Sequence, residues 1–271
     1  MAAFGGEVAL VTGAGRGFGK AIAQRFAAEG AAVAVLSRSA SQLDSVVAEI
    51  EAAGGKAIAV AADVTSPADV DRAVSAVEAR LGPITIFVNN AGVAGPYGPL
   101  WEVDVEEWWQ AQAVHIRAPM LFLNRILPGM IERDKGRAIV VSAIASRLVA
   151  PYLNAYCTGK IAQNRIVAEA AAELKDTAVK AFAIDPGFVF TALANDTMTS
   201  PAARKWLPGM VGRLEERQAL GDEATGDLNR CAQRCVDLAS GRYDALSGRY
   251  TELPDDLDAM VREAQAEEVT A

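Results

Sequence analysis

Tyr156 and Lys160 close the run Tyr156-Cys157-Thr158-Gly159-Lys160. Four residues apart on a helix, their side chains lie on one face and can meet the same ligand. A free phenol has a pKa of about 10. An adjacent ammonium favours the phenolate and draws that value toward working pH, where the group can give and take a proton. Taken alone, such a pair also fits a solvated helix face. A second cluster, Thr12-Gly13-Ala14-Gly15-Arg16-Gly17-Phe18-Gly19, follows the apolar run Val8 to Val11 and precedes a helix-period segment from Lys20 to Glu29. Glycines where a buried strand turns into a helix let the backbone approach a pyrophosphate, whose charge then meets the free N–H groups and positive dipole end of the helix. Gly13, Gly17 and Gly19 are the three that matter most, and the strand before and helix after them favour a nucleotide site over a merely flexible turn.

Placing both clusters on one ligand requires a particular scaffold. Near-continuous apolar runs at Ala31 to Leu36, Ala57 to Ala62, Ile84 to Val88, Ala138 to Ser142 and Val179 to Ile184 read as buried parallel strands. Helical patterns fall between them: Ala40 to Ala53, stopped by Gly54-Gly55; Ser66-Pro67 to Leu81; Val105 to Arg117; Met120 to Arg133; and about Tyr152 to Leu174. The alternation implies right-handed βαβ units in a single α/β domain, a doubly wound parallel sheet flanked by helices, with ligand at the carboxy ends of the strands. From Thr191 to Asp222 the pattern dissolves, and the large apolar residues there, Trp206 and Met210 among them, favour a lid. A helix from Glu223 to Ser240, a short strand near Ala245 to Tyr250 and an acidic amphipathic tail from Pro254 complete the expected order.

The chain has 271 residues, 51% of them hydrophobic, enough for one large core. A net charge of −8 argues against nucleic acid and anionic membrane as partners and for a small molecule. No apolar run approaches spanning length and no leader is recognisable, so a soluble, cytoplasmic protein is expected. Cys157, Cys231 and Cys235 are too few for a disulfide framework. Cys231 and Cys235 share a helix face, but nothing is spaced to complete a metal site with them and His115, so no metal is expected.

The glycine cluster, Asn89-Asn90-Ala91-Gly92, Tyr156-x-x-x-Lys160 and Pro186-Gly187-x-Val189-x-Thr191 together resemble the short-chain dehydrogenase/reductase family in its compact one-domain, Rossmann-like form, over about Gly6 to Tyr250. The resemblance implies hydride transfer between NAD(P) and a C=O, C=N or C=C group of a small substrate. Tyr156 would be the acid/base, with Lys160 binding the nicotinamide ribose and lowering the tyrosine's pKa. It places Gly13, Gly15, Arg16, Gly17, Phe18 and Gly19 at the pyrophosphate, and Asp63 and Val64 at the adenine. Asn90, Ala91 and Gly92 would run along the cofactor, with Pro186, Gly187, Val189 and Thr191 around the nicotinamide. It also suggests a homodimer or homotetramer packed through the helices of residues 105 to 175. A carboxylate ending the second strand would repel a 2′-phosphate. Ser37 stands there instead, followed by Arg38, and with Arg16 this favours NADP(H) over NAD(H).

Two positions depart from the family pattern. The serine usual thirteen residues before the tyrosine is Ala143, leaving Ser142, Ser146 and Asn154 as polar candidates. On a strand, a one-residue shift turns Ser142 to the other face. The usual asparagine is His115, the sole histidine, which could join a proton relay to the lysine or donate to substrate. These departures keep two other readings open, a cofactor-binding sensor or scaffold and a redox-neutral isomerase or lyase. Trp108 is expected to be structural, whereas Tyr97, Trp101, Trp109 and Tyr152 are expected to line an apolar pocket mouth.

Overall fold

The computed structural model describes residues 3–221 and 226–270. Seven parallel strands form one sheet: β1 (Val8–Thr12), β2 (Ala32–Ser37), β3 (Lys56–Ala61), β4 (Ile86–Asn89), β5 (Gly136–Val141), β6 (Val179–Ile184) and β7 (Tyr250–Thr251). Their order is β3-β2-β1-β4-β5-β6-β7, so the winding reverses between β1 and β4. The loops leaving those two strands therefore open a crevice at the carboxy edge, the place where such sheets take ligands.

Side-chain alternation along the strands explains the layers. Ala9, Val11, Val33 and Val35 face one core, built with α1 (Gly17–Ala28), α2 (Ala40–Ala52) and α10 (Gly226–Ala239). Val8, Leu10, Ala34 and Leu36 face the other, built with α3 (Pro67–Leu81), α5 (Ala118–Glu132) and α6 (Asn154–Glu173). With helices on both faces the strands must be apolar on both sides, which is why they read as runs rather than as alternation. Cys231 and Cys235 are fully buried in the first core, as packing residues. Among the described residues no helix is long and apolar enough to cross a membrane, and no group of three or more His, Cys, Asp or Glu could hold a metal ion.

Three expectations are corrected. Residues 191–221 are not irregular but form α7 (Ala192–Thr199), α8 (Pro201–Trp206) and α9 (Pro208–Ala219). Thr191 and Ser200 cap the first two through Ala194 N–H and Ala203 N–H, and Pro201 and Pro208 open α8 and α9 rather than breaking helices. Asp222 and the expected helix start at Glu223 lie outside the described residues. The break expected near Ala118-Pro119 is instead a π turn, Ala113–Arg117, joining α4 (Val105–Gln112) to α5. The strand expected at Ala245 to Tyr250 shrinks to β7, preceded by a 3₁₀ turn at Asp244–Leu246. The acidic tail is α11 (Leu257–Thr270), which buries Leu257 and Ala264 against the first core.

Phe122 of α5 stacks on Phe87 of β4 at 5.2 Å, both rings fully buried. Phe122→Ala is expected to lower the unfolding free energy by about 3–5 kcal/mol, read from urea denaturation, because the cavity cannot collapse against a rigid sheet.

Candidate active site

The glycine bend has the geometry of an anion cradle. Gly13 and Gly17 hold φ of +64° and +57°, a region closed to most side chains. A Cβ on Gly19 would come within 2.5 Å of Asn90 Nδ2. Arg16, the residue before α1, offers no side-chain cap, so the first-turn N–H groups stay available to an anion. The bend is tied to the end of β4 by one hydroxyl: Thr12 Oγ1 accepts Asn90 N–H at 3.0 Å and Ala91 N–H at 3.1 Å. Asn90 Nδ2 returns bonds to the carbonyls of Thr12 and Gly13 at 3.1 and 3.2 Å. Asn90 thus shapes the cradle with its side chain, a role that sequence spacing did not reveal. Thr12, missed as a site residue, was marked only by standing first in the glycine cluster.

At the far end of the cradle Gly15 packs beside Ser37 and Gln42, where a Cβ would meet Gln42 Oε1 at 2.8 Å and Ser37 Oγ at 3.3 Å. Arg38 is exposed and has no charged or hydrogen-bonded partner among the described residues. Arg16 does not join it. Its guanidinium lies 3.7 Å from Asp196 of α7, an exposed pair of small energetic weight. Asp63 accepts Thr65 N–H and Oγ1–H at 2.9 and 2.7 Å, shaping the turn after β3, and Val64 beside it is buried. Thr191 lies next to Gly17, which brings the Pro186-to-Thr191 segment onto the glycine bend, with Val189 buried beneath it. Gly187, at φ +82°, has no room for a side chain beside Asp227, whose carboxylate accepts Phe188 N–H at 3.0 Å.

Tyr156 and Lys160 do share a face of α6. The Lys160 ammonium lies 5.5 Å from the centre of the Tyr156 ring, and it is 4% exposed. It donates to the Val141 carbonyl at 2.8 Å and to Gln163 Oε1 at 3.1 Å. Gly92 is the near wall: a Cβ there would lie 3.9 Å from Lys160 Nζ and 3.5 Å from His115 Cε1. Burial pulls the Lys160 pKa down to about 7, against an upward pull from Asp185. The Tyr156 phenol is pushed above its ordinary value, chiefly by burial and next by Asp185. Burial therefore outweighs any lowering of this value by the neighbouring ammonium. Tyr156 makes no hydrogen bond to another group among the described residues, so its hydroxyl is uncommitted.

His115 is fully buried in the π turn, its ring edge-on to Tyr156 at 5.5 Å. Nε2 lies 2.8 Å from the Val93 carbonyl, which only accepts, so Nε2 carries the proton and Nδ1 is bare and unpartnered among the described residues. Burial, then the Lys160 charge, drives its pKa down to about 3. A neutral ring with its one N–H spent on backbone is placed to accept at Nδ1 rather than to donate.

The polar candidates for the missing serine all hold internal bonds, but only Ser142 spends its sole donor hydrogen in one. Ser142 is buried and donates to the Lys160 carbonyl at 3.2 Å. Ser146 accepts from Asn164 Nδ2 at 2.8 Å. Asn154 accepts Trp108 Nε1–H at 2.9 Å and donates to the Gly98 carbonyl at 3.0 Å, which confirms Trp108 as structural. The Ile144 N–H, just past Ala143, is taken by Asp185 at 2.8 Å. Of the aromatic residues, Trp101 and Trp109 are mostly exposed, whereas Tyr152 packs on Trp206 at 5.1 Å and Tyr97 donates to Thr197 at 2.7 Å. The Tyr97 bond seats α7 over the loop that follows β4, and the Tyr152 contact seats α8 over the segment that leads into α6.

Comparison with known proteins bears on the family and the fold. The sequence model of the short chain dehydrogenase family matches residues 7–201. A short chain dehydrogenase of Pseudocercospora fijiensis is 37% identical over 267 residues, 97% of this chain and 84% of that protein. A metagenomic short-chain oxidoreductase solved in complex with NADP is 36% identical, with a TM-score of 0.66 over 69% of this chain and 85% of that one. A solved putative short-chain dehydrogenase/reductase from Burkholderia xenovorans is 27% identical, with a TM-score of 0.82 over 96% and 99% of the two chains.

Because the folded-state pKa of His115 lies near 3, below its ordinary 6.5, the unfolded chain binds the extra proton as pH falls. Stability should be full above pH 6.5 and decline toward pH 3 by up to about 1.4 kcal/mol per pH unit from this group. In His115→Asn that component of the decline should be absent, as read by urea midpoints across the interval.

Proposed function

The chain belongs to the short-chain dehydrogenase family, and on that premise we propose that it is an NADP(H)-dependent oxidoreductase acting on a small, largely apolar substrate through Tyr156 and Lys160. The observation that carries this reading is the uncommitted Tyr156 hydroxyl beside a buried ammonium, at the same sheet edge as the glycine cradle. The cradle's bare N–H groups and its lack of room for side chains fit a pyrophosphate, and the cofactor, when bound, supplies or accepts the hydride.

Each chain residue then has a definable task. The first turn of α1 neutralises pyrophosphate charge, with Gly13, Gly15, Gly17, Phe18 and Gly19 forming the approach. Ser37 and the unpaired Arg38 receive the 2′-phosphate, and Arg16 can turn to it from Asp196, since an exposed pair at 3.7 Å is easily exchanged for a doubly charged phosphate. Asp63 and Val64 border the adenine, and Asn90, Ala91 and Gly92 border the rest of the cofactor. Pro186, Gly187, Val189 and Thr191 line its nicotinamide end. Lys160 has three protons and two internal acceptors, so one proton remains for the cleft, where it can hold a ribose hydroxyl and stabilise the phenolate. Tyr156 gives its proton to the reduced group, or takes it in the reverse direction. The helices α7 to α9 act as the lid.

The substitution of Ala143 removes one donor to a developing oxyanion, typically a loss of about 3 kcal/mol. The Ser142 hydroxyl is spent on the Lys160 carbonyl, which with Ala143 favours substrates that make small demands on a second donor: activated carbonyls, enones or imines. The same single-donor geometry keeps the redox-neutral reading alive, while the free Tyr156 hydroxyl weighs against a pure cofactor sensor. Exposed Val105, Trp109, Met120 and Ile161 on α4, α5 and α6 support assembly as a homodimer or homotetramer, which sedimentation equilibrium would register as two or four times 28.4 kDa.

The deciding experiment is a panel of ketones, enones and cyclic imines assayed with NADPH and NADH. Turnover with NADPH at a KM at least about tenfold below that for NADH is expected, and Arg38→Ala should erase most of that preference. Tyr156→Phe should lower kcat by about 10²–10⁴-fold while leaving NADPH binding intact. Preference for NADH would overturn the cofactor assignment, and unchanged kcat in Tyr156→Phe the catalytic one.

A further inference from the structure

Gln163 stands three residues past Lys160 on α6 and is wholly buried. Its Oε1 accepts a hydrogen bond from Lys160 Nζ at 3.1 Å, and its Nε2 donates to the backbone carbonyl of His115 at 3.0 Å. The orientation of the amide is forced: an ammonium only donates and a carbonyl only accepts, so Oε1 must face the lysine and Nε2 the helix. Residue 119, four positions on, is a proline and cannot give that carbonyl the usual helical N–H. The π turn at Ala113–Arg117 and the lysine are therefore joined by a single amide.

We propose that Gln163 is a positioning residue for the reaction: it holds the Lys160 ammonium against the Val141 carbonyl, with its remaining proton toward the cleft, and fixes the distance between Lys160 and the turn that carries His115. This rests on the assignment of Lys160 to the hydride-transfer site. Val141 O alone would leave the ammonium free to pivot about one bond. The second acceptor defines the direction of the third proton. No other residue of α6, β5 or the π turn is bonded to the ammonium among the described residues. The titratable groups around it are Tyr156 on its own helix, His115 on the π turn and Asp185 after β6. His115 is neutral over the working range, and Asp185 acts from a distance without a bond. Gln163 is thus the side chain that sets how well a charge is tolerated at this point.

A neutral acceptor and a packing residue are separable by experiment. In the full chain labelled with ¹³Cε-lysine, the Lys160 signal is identified by its absence from Lys160→Met and titrated by NMR, a readout that needs no substrate. The wild-type midpoint is expected near 7. Gln163→Met, close in length but with no acceptor, should move it down by about one pH unit, and Gln163→Glu, which sets a carboxylate against the ammonium, should move it up by at least as much. With a substrate found in the panel, the alkaline decline of kcat should follow the lysine midpoint in each variant, and kcat at neutral pH in Gln163→Met should fall by about tenfold with KM for NADPH little changed. A lysine midpoint that stays within about 0.3 units in both variants overturns the proposal, as does a kcat loss that is uniform in pH. If Gln163→Met does not fold, Gln163→Glu decides alone by the presence or absence of its upward shift. If no substrate turns over in the wild type, the titration still judges Gln163, and what fails is the assigned reaction.

Discussion

An ammonium taken out of water must be given acceptors, because an unpaired buried charge is among the most destabilising features a fold can carry. Lys160 meets that demand at the carboxy end of β5, where Val141 is the last strand residue and its carbonyl is available to a side chain. Ser142, one residue on, sends its hydroxyl to the Lys160 backbone carbonyl while its N–H completes the ladder to Ile184. Strand end and helix are stitched on both sides of the lysine. One turn earlier on the same helix, Tyr156 inherits a fixed place, and Gly159 is the residue that lets His115 lie against that turn, since a Cβ there would fall 2.5 Å from His115 Cβ. The desolvation that makes the acceptors necessary also brings the lysine pKa to about 7, so its charge responds to small changes around it.

The other anchor is the glycine bend, and the sheet is the ruler between the two. β1 pairs with β4 and β4 with β5, so the loops after Thr12, Asn89 and Val141 leave one edge side by side. Thr12 bonds the backbone of Asn90 and Ala91, which lead on to Gly92 against Lys160 and to Val93, whose carbonyl holds His115. A line of hydrogen bonds and intervening backbone thus runs from the glycine bend to the amine. No single bond in it is strong, and each is worth about 1 kcal/mol net. Their value lies in fixing two chemical groups that are far apart in sequence.

Much of this was legible before any coordinates. Apolar runs of five or six residues between helical patterns gave the parallel sheet, because strands covered on both faces have nowhere to place polar side chains. The spacing of Tyr156 and Lys160 gave their shared face, and the placement of Gly13 to Gly19 gave the cradle. What remained hidden depends on direction rather than spacing. Pro201 and Pro208 look like breakers until one knows that the residues before them turn the chain into a new helix. Pro119 looks like a helix boundary, yet a π turn absorbs it and the freed carbonyl is met by Gln163, a partner 48 residues away. Ser142, Ser146 and Asn154 are all polar candidates in sequence, Ser142 already turned to the other face by its strand position, and only the structure shows its hydrogen going to the Lys160 carbonyl.

Those bonds also constrain what the site can do on the proposed reading. With Ala143 in place, Ser142 turned to the helix backbone and the Ile144 N–H given to Asp185, the end of β5 offers no side-chain donor of its own to a substrate oxygen. The phenol must then serve as both orienter and acid, two tasks more often divided. A lone donor aligns a group in direction but not in rotation, so the walls around it must supply the remaining restraint. Tyr97 and Tyr152, tied to Thr197 and Trp206, bring α7 over the loop after β4 and α8 over the segment before α6, and can supply it by shape. Shape selects apolar, rigid molecules better than flexible polar ones, because a rigid ring loses little entropy when confined. The missing serine and the aromatic lid therefore point the same way, toward a substrate whose own electron-poor double bond and stiffness make up for the donor the site does not have.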